Sequence, residues 1–264
     1  MSTNPIGIFD SGAGGLSIWK EITTLLPDES TVYISDAKYA PYGTKGEGAI
    51  LNRSKINTEL LLNKGAKAIV VACNTATTNA ISHLRAQYKV PFIGIEPAIK
   101  PAAFKTKTNA IGILATKGTL SSTLFHETSK RYTSNLNVVE QEGNGIVELI
   151  EAGALFSDEM EKLVKAYLRP MLEAKIDNLV LGCTHYHFLI PVLKKLLPEG
   201  ITIIESGPAV AKQTKAILEK YNLFNSSQQS VNYSFFTNGS TDVMANLMNL
   251  EKITIKKLDF NLIF

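Results

Sequence analysis

Cysteine is scarce in this chain: 264 residues hold two, Cys73 and Cys183. That count excludes a disulfide framework. Neither cysteine has a partner at C-x₂₋₄-C spacing, which argues against structural zinc assembled from Cys73, Cys183, His185 and His187. Long apolar runs are missing too. None reaches the roughly 18 residues of a membrane-spanning helix, and the opening "MSTNPIGIFD" has neither the basic nor the apolar region of a secretory leader. A cytoplasmic protein with reduced, available thiols is the expectation. Charge of one sign is also absent: 27 Lys and Arg against 24 Asp and Glu give a net charge of +3. With the lysines scattered, a nucleic-acid partner is not expected. "KITIKK" (252–257) is too short for a binding tail and reads as a solvated edge. The glycine-rich "FDSGAGGLS" (9–17) is not a dinucleotide fingerprint, because Ser17 stands where the last glycine belongs. It is not a phosphate loop either, because no Gly-Lys-Ser/Thr follows. No cofactor signature is present.

What is present is a regular alternation. Short runs rich in Val and Ile predict strands at 6–9, 30–35, 68–72, 91–95, 110–115, 135–140, 178–182 and 201–206. Amphipathic stretches such as 48–65 and 158–174 lie between them, and 230–240 reads as a strand into a turn before a helix over 241–250. Strand–helix alternation implies parallel sheets. The chain also repeats itself. "IGIFDSG" matches "IGILATKG", "IVVACNT" matches "LVLGCTH", and "IGIEPAI" matches "IIESGPAV". From Ile6 to Ile111, Cys73 to Cys183 and Glu96 to Glu205 the offsets are 105, 110 and 109 residues. Three landmarks in one order predict an α/β fold of two similar domains, with mainly parallel sheets related by a pseudo-twofold and the site in the cleft between them.

Both cysteines fall at strand ends, where open α/β sheets bind ligands. A lone cysteine is usually a buried, inert residue. Two placed alike, each beside hydroxyl and amide groups, point to chemistry. Asp10 and Ser11 open a flexible turn that either binds a substrate carboxylate or simply caps the next helix. His185 is placed to raise the thiolate fraction of Cys183. His83, His126 and His187 read as ordinary histidines, and spacing does not single out Glu151 or Asp36. A thiolate on one face of a carbon acid removes a proton, and a thiol on the other face returns one. The pair inverts the centre by general acid–base catalysis.

"GIFDSGAGGLS", "YAPYG", "ACNTAT" and "LGCTHY" together resemble the glutamate racemases of the cofactor-independent aspartate/glutamate racemase superfamily, from Ile6 to "FFTNGS". The resemblance implies interconversion of L- and D-glutamate without a cofactor, supplying D-glutamate for peptidoglycan. It implies that Cys73 serves the D-face with Asp10 in support, and Cys183 the L-face with His185 in support. Glu151 takes an auxiliary catalytic position, and Asp36 is expected behind the histidine. Substrate contacts implied are Asp10, Ser11, Pro41, Tyr42, Gly43, Cys73, Asn74, Thr75, Cys183, Thr184 and His185, with Thr116 and Thr119 holding a carboxylate. The implied domains are 1–98 plus 210–264, the C-terminal tail returning, and 99–209. A homodimer is expected, and glutamate as the partner molecule. There are departures: "NGIVELIE" precedes Glu151, His187 stands where proline is common, and Glu205 replaces an aspartate. The first motif begins at Ile6, so the N-terminal extension of some members is not expected. Aspartate or hydantoin racemisation, and non-catalytic amino-acid binding, are the alternatives.

Overall fold

A strand covered on both faces must be apolar on both, and the first strand obeys: all five residues of β1 (Ile6–Asp10) are buried. Ile6 and Ile8 pack with Trp19 and Ile22 of the helix Leu16–Leu25. Phe9 turns the other way, onto Leu60 and Leu61 of the helix Glu47–Asn63. The computed structural model describes residues 3–225, 230–248 and 254–258.

The other strands are β2 (Thr31–Ser35), β3 (Ala68–Val71), β4 (Phe92–Gly94), β5 (Ala110–Ala115) and β6 (Asn137–Glu142). They are followed by β7 (Asn178–Gly182), β8 (Thr202–Ile204), β9 (Tyr233–Thr237) and β10 (Ile255–Lys257). They form two sheets, with orders β10-β9-β2-β1-β3-β4 and β6-β5-β7-β8. Every pairing in both is parallel. The order β2-β1-β3-β4 recurs as β6-β5-β7-β8, so the sequence repeat is a repeat of topology. In each sheet the chain turns back beside its first strand, between β1 and β3 and between β5 and β7, and ligands bind at such switch points.

The strand at 135–140 begins two residues late, because residues 134–136 form the turn closing the preceding helix, where Leu136 N–H donates to Thr133 O at 2.9 Å. Within "KITIKK", Ile255–Lys257 is an edge strand beside β9. The helix expected over 241–250 runs Thr241–Met248, and 249–250 lie outside the described residues. Aromatic packing holds β9 beside β2: Trp19 meets Tyr233 and Phe235 edge-on at 5.4 and 4.9 Å. Its indole N–H donates to Thr31 Oγ1 at 2.9 Å. Such ring pairs contribute about 0.5–1.5 kcal/mol each beyond area burial. Two segments cross between the sheets, one near Glu96 and one near Ser206, and the Ser206 hydroxyl donates to Glu96 O at 2.5 Å.

Candidate active site

The first half of the site begins at the end of β1. Asp10 is fully buried and accepts from the N–H groups of Gly12 (3.3 Å) and Gly15 (2.9 Å). Its carboxylate thus shapes the turn into the helix Leu16–Leu25, and Tyr33 Oη clamps the turn from below by donating to Gly12 O at 2.9 Å. Two of the glycines are dictated by what lies opposite. A Cβ on Gly12 would stand 2.1 Å from Glu151 Oε1, and one on Gly14 would stand 2.5 Å from His185 Nδ1. The second half of the molecule therefore presses directly on this turn.

Two residues beyond β3, Cys73 is the N-cap of the helix Asn74–Gln87, in extended conformation (φ −133°, ψ 120°). Its sulfur accepts from Ala76 N–H at 3.4 Å and lies 3.5 Å from Ser11 Oγ. Burial pushes the Cys73 thiol well up, and the Asp10 carboxylate pushes it further. Burial likewise raises Asp10, against the lowering effect of His185.

Cys183 follows β7 at once, in nearly the same conformation (φ −147°, ψ 137°), and heads the 3₁₀ turn Thr184–Leu189. Its sulfur is 3.9 Å from His185 Nδ1, and His185 Nε2 lies 2.7 Å from Glu151 Oε1 and 3.3 Å from Gly14 N. Ala13 N–H donates to the same oxygen at 2.7 Å. Burial alone would lower the pKa of His185, but its bonds to Cys183 and Glu151 outweigh it and hold the imidazole well above its ordinary value. Burial would raise Glu151, and the His185 bond reverses it, so the carboxyl sits low. The result is an imidazolium–carboxylate pair behind the second thiol. Thr184 Oγ1, 3.4 Å from Asp10 Oδ1, ties the two halves.

The remaining residues singled out in the sequence meet across the same seam. The hydroxyls of Thr75, Thr116 and Thr119 lie 2.8, 3.3 and 3.1 Å from one another. Asn79 Nδ2 donates across to Gly118 O at 3.0 Å. A Cβ on Gly43 would come within 2.8 Å of Thr116 Cβ, so the Pro41–Gly43 loop abuts the second half. Tyr42 is buried with its hydroxyl donating to Asp36. Asn74 is only 3% exposed, with neither amide atom paired. A buried amide without partners marks a place for a ligand's polar group.

Asp36 does not stand behind the histidine. Glu151 does, and Asp36 instead receives Arg53 Nε and Nη2 (2.8 and 2.7 Å), Tyr42 Oη and Asn238 Nδ2 (2.6 Å). Arg53 and Asn238 were not foreseeable from spacing, since a lone basic residue within a helix and an Asn-Gly turn carry no mark of a shared partner. His187 turns to Glu205. Among the described residues no three His, Cys, Asp or Glu side chains converge as a metal requires.

The seam is shut. Beside Cys183 and Asn74 lies a cavity of about 20 Å³, and another of about 20 Å³ lies beside Gly43 and Thr116. Each has room for about one water. A larger hollow, about 690 Å³, lies outside the seam between Trp19, Phe156, Phe188 and Leu247. It is mostly apolar, and the titratable cluster is elsewhere, so chemistry and not volume locates the site.

Residues 11–214 match the family model for Asp/Glu/hydantoin racemases. The chain belongs to this family. Among the racemases, the glutamate racemase of Ectopseudomonas mendocina is 46% identical over 224 residues, covering 84% of this chain and 85% of that one. The crystal structure of Escherichia coli glutamate racemase, in complex with L-glutamate and the activator UDP-MurNAc-Ala, superposes with a TM-score of 0.85 at 34% identity, over 97% of this chain and 98% of that one. That of Francisella tularensis glutamate racemase, in complex with D-glutamate, gives 0.84 at 26% identity over 99% of each.

Proposed function

We propose that this chain is a glutamate racemase that inverts its substrate with two cysteines. The carrying observation is the equivalence of Cys73 and Cys183: same conformation, same place at the switch point of twin sheets, same closed seam. L-Glutamate loses its α-proton to the Cys183 thiolate, and the Cys73 thiol delivers another to the opposite face. D-Glutamate runs the same path backwards. His185, kept protonated by Glu151, stabilises negative charge at Cys183. Asp10, beside Cys73, is its supporting base. A thiol proton is not bound strongly enough to make a carbanion cheap, so the protein must stabilise the anion. Asn74 and the backbone N–H groups of the Ser11–Gly15 turn supply fixed donors, and closure removes competing water.

The three threonine hydroxyls lie within hydrogen-bond distance of one another. A side-chain carboxylate takes their place as common acceptor, and its distance from the thiols sets substrate length. Ser11, Pro41, Tyr42, Gly43 and Thr184 complete the enclosure. The domain boundaries proposed are 1–98 with 210–264, and 99–209. Proposed with them are a homodimer, no cofactor, a cytoplasmic location, and a role in supplying D-glutamate for the cell wall. Among the described residues no helix is long and apolar enough to cross a membrane.

The test is circular dichroism of L-glutamate with pure protein and no additive. The signal is expected to decay to zero, as equal amounts of the enantiomers require. L-Aspartate in parallel is expected to persist, and decay of aspartate alone would replace this reading with its shorter-substrate relative.

A further inference from the structure

The two thiols differ in their access to water. Cys73 is 5% exposed, with its sulfur turned to Ser11 and the Ala76 N–H. Cys183 lines the water-sized cavity described above. The buried wall of that cavity carries Thr184 and Asn74, whose amide has no partner. His187, Glu205 and Glu21 also line it. His187 Nδ1 is hydrogen-bonded to Glu205 Oε2, and their side chains are 36% and 33% exposed, so the cavity reaches solvent at this pair. His185, the nearest base to Cys183, is sealed at 1% exposure and engaged with Glu151.

We propose that this cavity is a proton-exchange port for Cys183, with Glu205 and His187 as its positioning residues. The proposal rests on the two-thiol reading above and adds the means by which one thiol is reset. After taking the α-proton of L-glutamate, Cys183 is a neutral thiol. Its S–H bond breaks as a water in the cavity, held by Asn74, takes the proton, and the electron pair stays on sulfur as thiolate. The water passes a proton to a Glu205 carboxylate oxygen, and bulk water removes it. His187 holds that carboxylate at the cavity wall. Cys73 has no such outlet and regains its proton from water when the cleft opens.

A thiol carries a single proton. Without exchange, reversal of the first step returns the original hydrogen to the substrate. With exchange in D₂O, reversal returns deuterium with configuration retained. The two enantiomers are therefore supplied separately in D₂O at low conversion, and the recovered substrate is analysed for α-deuterium by mass spectrometry and proton NMR. Recovered L-glutamate is expected to carry several-fold more deuterium than recovered D-glutamate. Glu205→Gln and His187→Phe are each expected to bring the L value down to the D value, while the initial racemisation rate at low substrate stays near that of the parent. Glu205→Asp is expected to restore the excess. Both residues are partly exposed, and thermal melts check that the variants fold. Equal deuterium in both recovered enantiomers, or an L excess untouched in both variants, overturns the port while leaving racemisation in place. No decay of the L-glutamate dichroism overturns the two-thiol reading and the port together.

Discussion

Cys73 and Cys183 occupy equivalent strand ends, yet their surroundings have opposite electrical character. The first thiol is pushed toward its neutral form by burial and then by the neighbouring carboxylate, Asp10. The second sits against a histidine held protonated by Glu151. The repeat places two identical side chains at equivalent strand ends, and their neighbours differ: a carboxylate beside one, an imidazole beside the other. The equilibrium constant between enantiomers is unity, so kcat/KM must be equal in the two directions. The asymmetry can show itself only in kcat and KM taken separately.

The sharpest way to break this comparison is to remove one thiol at a time. Cys73→Ser and Cys183→Ser are each expected to cut racemisation by about 10³-fold, within the range for loss of a general acid or base. Hydrogen exchange distinguishes the faces. Cys73→Ser should still exchange the α-hydrogen of L-glutamate with D₂O, and Cys183→Ser should not. The reverse pattern would exchange the assignments, and racemisation surviving in either variant would remove the two-base scheme.

A smaller effect is expected when the charge difference is erased and both sulfurs are kept. Glu151→Gln leaves His185 with a neutral partner and should lower kcat/KM about tenfold, in both directions equally, as loss of a charged hydrogen bond implies. Stability should fall by about 2 kcal/mol, because Glu151 and His185 are largely buried. The sign follows from the two shifts. Glu151 lies below its ordinary 4.5, so its contribution is full above pH 4.5 and fades as pH falls through the lowered value. His185 lies above its ordinary 6.5, so its contribution is full below pH 6.5 and fades as pH rises through the raised value. Urea unfolding from pH 4 to 9 should therefore show the widest gap between parent and variant between pH 4.5 and 6.5. A gap that does not vary with pH would mean that the pair is not charged.

Much of this architecture was legible in the residues. β5 and β7 were readable to the residue because buried parallel strands leave an uninterrupted apolar record, "AIGILA" and "NLVLG". β6 was readable only approximately, because an edge strand such as "NVVEQE" mixes polar and apolar residues. The thiols, Asp10 and His185 lie next to strand ends and share motifs, so proximity in sequence carried them. The Glu151–His185 bond joins residues 34 apart, and the Asp36–Asn238 bond joins residues 202 apart. Neither leaves a local pattern, and only the folded chain brings them together. Asp36 was expected behind the histidine only because the family resemblance implied it. The actual neighbours of Asp36 come from a helix and from the turn after β9.

That turn gives the mildest way to sharpen the comparison between halves. Only the first sheet is extended by β9 and β10. Just after β9, Asn238 Nδ2 donates to Asp36 Oδ1, and Asn238 Oδ1 accepts from Lys38 N–H at 2.9 Å. Asp36 in turn receives the Tyr42 hydroxyl, and the neighbouring Gly43 meets Thr116 across the seam. Asn238 thus braces the Pro41–Gly43 loop at the seam, and the Cys183 half has no counterpart to it among the described residues. Asn238→Ala removes the brace and leaves both thiols with their partners. Arg53 still holds Asp36 with two hydrogen bonds, so the loop shifts without collapsing. The expected outcome is a rise in KM of roughly threefold for both enantiomers, little change in kcat, and about 1 kcal/mol less stability. A fall in kcat with KM unchanged would mean that Asp36 acts on the chemistry of Cys73 and not on closure. Asn238→Asp separates the two further, since a second carboxylate beside Asp36 repels where the amide donated and should raise KM beyond the alanine variant.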